Sequence, residues 1–410
     1  MKKYLAFILT AVIFVCCFAG CGKKATAPEA TPTPTQEVTL PPTDTPTPTP
    51  SPVPEPPTVY LKDVFGAHGM KVGTCLTTQM ISMSAKEKLI LDNYNSVTME
   101  NAMKPDYILD QKKSQETGSL VVAFNDDMIT MLDWAKANNM AVRGHTLVWY
   151  SQTPQWIFYD NFDNKTGKLV GRDEMLKRME SLIKQMFEKL TEEGYADLFY
   201  AYDIVNEAWM EDGSIRSQMN NWYTIIGDDY LWYAFYYANK YAPENINLFY
   251  NDYNEQFKTN ALEKFIKTLV DEDGNWLIDG IGFQAHLYTG DSLTDYFKTV
   301  DQLSKLGLKI QLTELDVCLG KYQAPKQPTA KNLAAQGMFY YDLINGIFQR
   351  IDAGTLKMDA LTFWGFADGM SWRKGYSPLL FNQNYQKKPA FWGAVQVRDL
   401  AGFNYTEEDK

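Results

Sequence analysis

The feature that most constrains the fold is a regular alternation of short apolar stretches with longer amphipathic ones between residues 59 and 403. Short apolar runs of this kind are typical of strands buried on both faces of a parallel sheet. Eight such strands are predicted, at residues 72–76, 96–99, 141–148, 199–205, 247–250, 280–285, 309–313 and 360–364. The clearest helix between them is predicted at residues 172–193, where apolar residues recur at helical spacing. Asp126 and Asp127 are predicted to cap another helix.

Eight strand-then-helix units in about 345 residues, without a second glycine- or proline-rich break, predict an α/β fold of one particular kind. We predict a single catalytic (β/α)8 TIM barrel at residues 59–403, followed by a tail at 404–410. The alternative is an open, doubly wound sheet. That fold would place a glycine-rich phosphate loop after its first strand, and residues 72–75 read VGTC without a G-x-G-x-x-G motif.

The N-terminus has the pattern of an export signal. Two lysines precede an apolar stretch at residues 4–18, which is too short to span a bilayer comfortably, and small residues then lead into Cys21. This ending resembles a bacterial lipobox, although Phe18 departs from the aliphatic residue usual at its place. We therefore predict a lipoprotein signal peptide at residues 1–20 and acylation of Cys21, with plain secretion as the alternative.

Residues 21–58 are predicted to form a disordered linker rich in proline and threonine. Of the 19 prolines in the chain, 12 lie between Pro28 and Pro57. Such a segment buries too little apolar area to fold, and its prolines favour an extended chain that rises about 3 Å per residue. We expect an extracellular domain at the bacterial cell surface, attached to the membrane only through lipid on Cys21.

The net charge restricts the class of partner. The formal charge is −11, and removal of the signal with Lys2 and Lys3 makes it −13. An acidic domain is a poor candidate for binding nucleic acid, and a neutral substrate is easier to reconcile with it.

Two cysteines, Cys75 and Cys318, remain beyond Cys21. They are predicted at the ends of strands one and seven, two strands apart in a closed barrel. With strands about 4.8 Å apart, their separation of about 10 Å is too long for an unstrained disulfide, so we expect free thiols.

Polar side chains follow most of the predicted strands at the point where each strand ends. In a barrel these ends meet at one rim and form the floor of the active site. The rim is predicted to collect acids, amides, imidazoles and indoles: Glu100, Asn101, Lys104, His145, Trp149, Gln152, Asn206, Glu207, Gln284, His286, Glu314, Asp316, Trp364 and Trp372.

Glu207 and Glu314 are the candidate catalytic carboxyl groups. They follow strands four and seven, on opposite sides of the predicted barrel. Hydrolysis of an acetal needs two facing carboxyl groups, because one protonates the leaving oxygen while the other stabilises or attacks the anomeric carbon. Either glutamate alone would more often be a solvated loop residue. Asp203, inside strand four, is expected to be a structural carboxylate.

The strings TMENAMKP, RGHTLVW and SQTP on either side of Tyr150, YDIVNEAW, GFQAHL, LTELDV and FWGFADGMSW, in this order, resemble the glycoside hydrolase family 10 endo-β-1,4-xylanases over residues 59–403. The resemblance implies retaining hydrolysis of internal xylan bonds by double displacement. It implies that Glu207 is the acid/base and Glu314 the nucleophile, and that Asn206 bonds the 2-hydroxyl of the sugar being cleaved. It further implies that His286 and Asp316 orient the nucleophile.

The same resemblance implies the residues that bind substrate. Gln284 would lie beside the nucleophile, and Asn251 is our candidate for the aglycone side. The implied glycone subsites are lined by Glu100, Asn101, Lys104, His145, Trp149, Gln152, Trp364 and Trp372. Tyr150 and Tyr202 depart from the pattern of the family, and the roles of Tyr253 and Tyr288 stay open between sugar stacking and packing.

Metal, cofactor and partner expectations follow. Only three histidines occur, and they form neither His-x-His nor His-Glu-x-x-His, so we expect no metal and no organic cofactor. We expect a monomer acting on xylan and xylo-oligosaccharides. Two alternatives stay open: a β-1,4-glucanase on the same barrel, and a non-catalytic lipoprotein that binds polysaccharide at the cell surface.

Overall fold

The computed structural model describes residues 58–398. The predicted signal peptide, Cys21, the linker up to residue 57 and the tail at 404–410 lie outside these residues. Between residues 58 and 398, none of the helices combines the length and the apolar character needed to cross a bilayer.

Eight parallel strands close into a barrel, and this confirms the predicted fold. Each strand pairs in parallel with the next along the chain, and the eighth pairs with both the seventh and the first. The strands are β1 Lys71–Leu76, β2 Ser96–Met99, β3 Ala141–Trp149, β4 Phe199–Asn206, β5 Asn247–Asp252, β6 Gly280–Phe283, β7 Lys309–Cys318 and β8 Ala360–Phe363. All eight lie where the apolar runs predict them.

Helices lie between the strands around the barrel. The described residues form α1 Leu61–Gly66, α2 Thr78–Ile81, α3 Ser84–Asn93, α4 Pro105–Ile108, α5 Gln111–Thr117, α6 Asp126–Ala137, α7 Arg172–Glu192, α8 Asn221–Ile226, α9 Tyr230–Tyr241, α10 Glu255–Ile266, α11 Leu293–Leu303, α12 Ala330–Asp352 and α13 Pro389–Ala394. Helix α7 ends one residue before the predicted position. Its buried stripe includes Met175, Met179, Leu182 and Met186, and burial of each such side chain contributes about 1.5–3 kcal/mol.

The start of α6 differs from the prediction. Asn125 caps this helix, because its side chain accepts a hydrogen bond from the backbone N–H of Met128. The prediction that Asp126 and Asp127 cap the helix is wrong. Both acids lie in the first turn, where negative charge is favourable next to the positive end of the helix dipole.

Strand β7 is longer than its apolar run predicts. Its second half is held by a short strand, His286–Tyr288, which pairs with residues 316–318. Glu314 and Asp316 therefore lie inside β7 rather than on the loop that follows it. Because side chains two residues apart point to the same face of a strand, the two carboxyl groups are held on one side of a rigid element.

Tyr202, one of the departures from the family pattern, is closely packed inside the barrel. A Cβ atom at Gly144 in β3 would lie 2.3 Å from the ring of Tyr202 in β4. The Tyr202 ring is fully buried against this glycine. Tyr202 is therefore a packing residue of the barrel wall.

The two remaining cysteines are buried. Neither Cys75 nor Cys318 forms a disulfide, as expected from their positions on strands one and seven. Burial raises the pKa of both thiols, so both stay protonated at neutral pH.

Candidate active site

Glu314 is held through both carboxyl oxygens at the floor of the barrel mouth. Oε1 accepts a hydrogen bond of 2.8 Å from Asn251 Nδ2, and Oε2 lies 3.3 Å from His286 Nε2. Burial by itself would raise the pKa of Glu314. The hydrogen bond from His286, the charges of His145 and His286 and the bond from Asn251 together lower the pKa of Glu314 to about 2. This carboxylate is ionised throughout the neutral range.

His286 lies between two carboxylates. Its Nδ1 is 3.0 Å from Asp316 Oδ2, while its Nε2 faces Glu314. Because both ring nitrogens point at acceptors, both carry a proton in this arrangement. Burial opposes the charge, but the charge of Asp316 and the bonds to both acids raise the pKa of His286 to about 10.

We expect His286 to be doubly protonated at pH 8, where an ordinary imidazole is neutral. The folded pKa lies above the usual value of 6.5, so the stabilisation is complete below pH 6.5 and is lost as the pH rises through about 10. The ¹⁵N shifts of the imidazole nitrogens measure the charge directly. A neutral ring at pH 7.5 would contradict the arrangement, and in His286→Asn the loss of stability between pH 7 and 10 should be smaller than in the parent.

Asp316 is connected to Glu314 through His286, which contacts both carboxylates. Two further side chains donate to Asp316. Arg373 Nη1 donates to its Oδ1 at 2.6 Å, and Trp372 Nε1 donates to its Oδ2 at 3.2 Å. The guanidinium of Arg373 lies over the ring of Tyr288, 4.4 Å from its centre. Sequence reasoning missed Arg373, although it directly follows a predicted site tryptophan.

Glu207 is the second carboxyl group of the pair. Its Oε1 accepts from Gln284 Nε2 at 3.0 Å and its Oε2 from Trp149 Nε1 at 3.1 Å. Burial raises the pKa of Glu207; the bond from Gln284 opposes this, and the negative charges of Asp252 and Glu314 add to it. The pKa of Glu207 is therefore shifted upward, whereas the pKa of Glu314 is shifted downward.

Asn206 connects the two halves of the site. Its Oδ1 accepts from Asn251 Nδ2 at 2.9 Å and from Gln284 Nε2 at 3.3 Å. Within residues 58–398 its Nδ2 has no hydrogen-bond partner. This amide therefore has an unused donor, and it is linked to Glu314 through Asn251 and to Glu207 through Gln284.

The expectation that Asn251 binds the aglycone is wrong. Asn251 is fully buried. Its Nδ2 donates to Asn206 and Glu314, and its Oδ1 accepts from Thr313 Oγ1 at 2.6 Å. With both polar atoms occupied below the surface, Asn251 supports the floor of the site instead of contacting a sugar.

A second polar cluster lies at the ends of β2 and β3. Lys104 Nζ donates to Asn101 Oδ1 at 3.1 Å and to Gln152 Oε1 at 2.8 Å, and it lies 5.2 Å from the centre of the Trp149 ring. Burial lowers the pKa of Lys104 and raises the pKa of neighbouring Glu100. The structure thus brings together the predicted residues of these two strand ends.

Aromatic rings accompany this cluster. Trp364 is 7% exposed and packs edge-on against His145, with ring centres 5.5 Å apart. Trp372 does not belong to this cluster: it is 59% exposed and packs against His286, with ring centres 5.0 Å apart. The ring of His145 is oriented by Asp203, whose Oδ2 lies 2.9 Å from Nδ1. Asp203 also pairs with buried Arg143, as expected of a structural carboxylate.

Metal ligands are not grouped in the described part of the chain. No cluster of three or more His, Cys, Asp or Glu side chains that could hold a metal ion occurs between residues 58 and 398.

At the carboxyl-terminal rim of its barrel the protein holds one carboxyl group with a raised pKa, Glu207, and one with a lowered pKa, Glu314. This arrangement is typical of the glycoside hydrolases that use a pair of carboxyl groups. Residues 60–397 match the family model of glycosyl hydrolase family 10. The chain belongs to this family.

Curated relatives include the bifunctional endo-1,4-β-xylanase of Ruminococcus flavefaciens, 37% identical over 81% of this chain and 33% of the relative. The endo-1,4-β-xylanase of Geobacillus stearothermophilus is 32% identical over 82% of this chain and 98% of the relative. The chain spans only 33% of the length of the Ruminococcus flavefaciens relative, and 32% and 54% of the length of two further xylanases, from Acetivibrio thermocellus and Butyrivibrio fibrisolvens.

Solved structures show the same architecture. The N-terminal endo-1,4-β-D-xylanase 10B modules of Clostridium thermocellum, complexed with xylohexaose, superpose with a TM-score of 0.73 at 33% identity, covering 82% of this chain and 68% of that one.

Proposed function

We propose that this chain is a retaining endo-β-1,4-xylanase. The observation that carries the proposal is a pair of carboxyl groups held in different surroundings at one barrel mouth: Glu314 contacts Asn251 and His286, which lower its pKa, whereas burial raises the pKa of Glu207. Double displacement needs this division, with one carboxylate free to attack and one carboxyl group able to give up a proton. The relatives named endo-1,4-β-xylanases support xylan as the substrate class.

In the first step Glu314 attacks the anomeric carbon. The bond from this carbon to the leaving oxygen breaks, and Glu207 gives its proton to that oxygen, so that the shorter sugar chain leaves as a neutral alcohol. Protonated His286 keeps Glu314 ionised and oriented until the ester bond forms. We further propose that Nδ2 of Asn206, which is buried and has no hydrogen-bond partner between residues 58 and 398, donates to the 2-hydroxyl of the same sugar when it is bound.

In the second step water displaces Glu314 from the anomeric carbon. Esterification removes the negative charge of Glu314, which is one of the causes that raise the pKa of Glu207. Glu207, now ionised, accepts a proton from water as the water oxygen attacks the anomeric carbon and Glu314 departs as carboxylate. Two inversions leave the configuration retained, and these steps need only the two carboxyl groups and water.

The proposed glycone subsites combine flat rings with fixed hydrogen-bond donors. Trp149, Trp364 and Trp372 present apolar faces suited to the C–H side of a pyranose ring. Lys104, held by Asn101 and Gln152, is a rigid donor for hydroxyl groups. Neutral, hydroxyl-rich chains fit this lining.

The substrate is tested by giving the full chain linear xylan and a mixed-linkage β-glucan in parallel. We expect xylo-oligosaccharides of several lengths from xylan and little release from the glucan. Preference for the glucan would keep the chemistry and change the substrate. Binding of either polymer without cleavage would refute the proposed function and favour a capture protein.

We also propose that the protein is anchored outside the cell by lipid on Cys21, with the proline-rich segment as a spacer. The AGC ending of the signal-like segment supports this proposal. In the native host, Cys21→Ser is expected to move the protein from the membrane fraction to the medium. A variant that stays with the membrane would contradict it.

A further inference from the structure

The backbone of Glu207 has an uncommon conformation. Its φ angle is +54°, in the left-handed region that residues other than glycine rarely occupy. Such a conformation persists only where the surrounding structure holds it in place. The turn that carries the proposed acid/base must therefore be fixed by particular contacts.

Arg216 supplies two of these contacts. Its Nε donates to the carbonyl oxygen of Glu207 at 2.9 Å, and its backbone N–H donates to the carbonyl oxygen of Ala208 at 2.8 Å. On the other side of the turn, the N–H of Glu207 donates to the carbonyl of Asn251, and the N–H of Ala208 donates to Tyr250 Oη. Between residues 58 and 398, Arg216 is thus the one side chain that donates to the carbonyl oxygen of Glu207.

The guanidinium of Arg216 is itself held rigidly. It lies 4.1 Å from the centre of the Tyr150 ring, and its Nη2 donates to Tyr253 Oη at 3.0 Å. The residue is 8% exposed, and no carboxylate of residues 58–398 forms an ion pair with it. Ion pairing therefore does not account for this buried charge. Instead, the planar face of the guanidinium lies over the Tyr150 ring, and two separate N–H groups donate to the Glu207 carbonyl and to Tyr253 Oη.

We propose that Arg216 is a positioning residue for Glu207. By fixing the carbonyl of Glu207 from a guanidinium clamped between Tyr150 and Tyr253, it keeps the carboxyl group where it meets the leaving oxygen. The proposal rests on the proposed function, because it concerns the acid role of Glu207. It assigns no part in the attack by Glu314, whose own contacts come from Asn251 and His286.

The test compares kcat/KM of the parent and of Arg216→Met on two β-xylobiosides. Phenyl β-xylobioside has a poor leaving group that needs a proton, whereas 2,4-dinitrophenolate leaves without one. Since kcat/KM covers events through the first irreversible step, it reports on the first bond cleavage. Misplacement of the acid by about 1 Å predicts a loss of about 10²-fold on the phenyl substrate, with the dinitrophenyl substrate cleaved at the parental kcat/KM.

Two variants separate positioning from general damage. Arg178 is a control of similar burial and contacts: it is 5% exposed, lies 4.0 Å from the centre of the Phe162 ring and donates to the carbonyls of Ile157 and Tyr159. Unlike Arg216, it also pairs with a carboxylate, Glu174, at 2.9 Å. Arg178→Met is expected to leave both kcat/KM values unchanged, whatever it does to the melting temperature. Arg216→Lys keeps the charge but not the planar fork, so it should retain the defect on the phenyl substrate.

An equal loss on both xylobiosides, or no loss on either, would overturn the role of Arg216. Failure of the parent to cleave either substrate would instead refute the proposed function, and a crystal structure of Arg216→Met then decides the positioning question alone. There we expect the Glu207 carboxyl group to have left Gln284 Nε2 and Trp149 Nε1. A carboxyl group that keeps both bonds would contradict the proposal.

Discussion

Replacement of Glu314 with alanine is expected to lower kcat on xylan by about 10⁵- to 10⁶-fold, because no other group can form the glycosyl-enzyme. The barrel should remain folded, since Glu314 projects from β7 into the mouth and its partners His286 and Asn251 keep their bonds to Asp316 and Asn206. Steady-state kinetics and a melting curve measure both effects.

Azide distinguishes this mechanism from a simple loss of binding. In Glu314→Ala, azide should enter the vacated space and attack an activated aryl xyloside once, giving the α-xylosyl azide by a single inversion. Glu314→Gln, which fills the space, should be equally inactive without being rescued. An alanine variant with near-normal turnover would remove Glu314 from the reaction.

Replacement of Glu207 with alanine is expected to have an effect that depends on the leaving group. On xylan, loss of proton transfer predicts a decrease in kcat of about 10²- to 10⁴-fold. On 2,4-dinitrophenyl β-xylobioside the first step needs no proton, so the glycosyl-enzyme should accumulate and kcat should fall while kcat/KM is largely kept.

The same variant tests the second step. Azide attacks the accumulated glycosyl-enzyme without help from a base, so it should restore kcat and give the β-xylosyl azide. The opposite configurations of the two azides assign the roles of Glu207 and Glu314 independently of each other. An α-azide from Glu207→Ala would mean that the roles are exchanged or that the mechanism is different.

The barrel can be predicted from the sequence because its parallel strands are buried on both faces, so each strand appears as a largely continuous apolar run. Strand β4 is one example, with six consecutive buried residues from Ala201 to Asn206. The position at which β7 ends cannot be predicted in the same way. The second half of this strand depends on pairing with His286–Tyr288, which is more than 20 residues away in the chain.

The two glutamates are predictable only as a pair: each alone would more often be a solvated loop residue, but both follow apolar runs on opposite sides of the predicted barrel. Asn251 has the same sequence signature, yet it is buried below the floor, because the depth of a side chain in the mouth depends on strand register rather than on pattern. Arg216 and Arg373 come from loops, so only the folded chain shows that they contact the Glu207 turn and Asp316.

The central claim is that Glu314 forms a covalent bond with the sugar. The most direct test is incubation of the full chain with 2,4-dinitrophenyl 2-deoxy-2-fluoro-β-xylobioside, which slows the second step, followed by peptide mass spectrometry. We predict one fluoro-xylobiosyl group per molecule, attached to Glu314 within LTELDV. Labelling of Glu207 or another residue, or turnover of this substrate to the α-configured sugar without any label, would contradict the account.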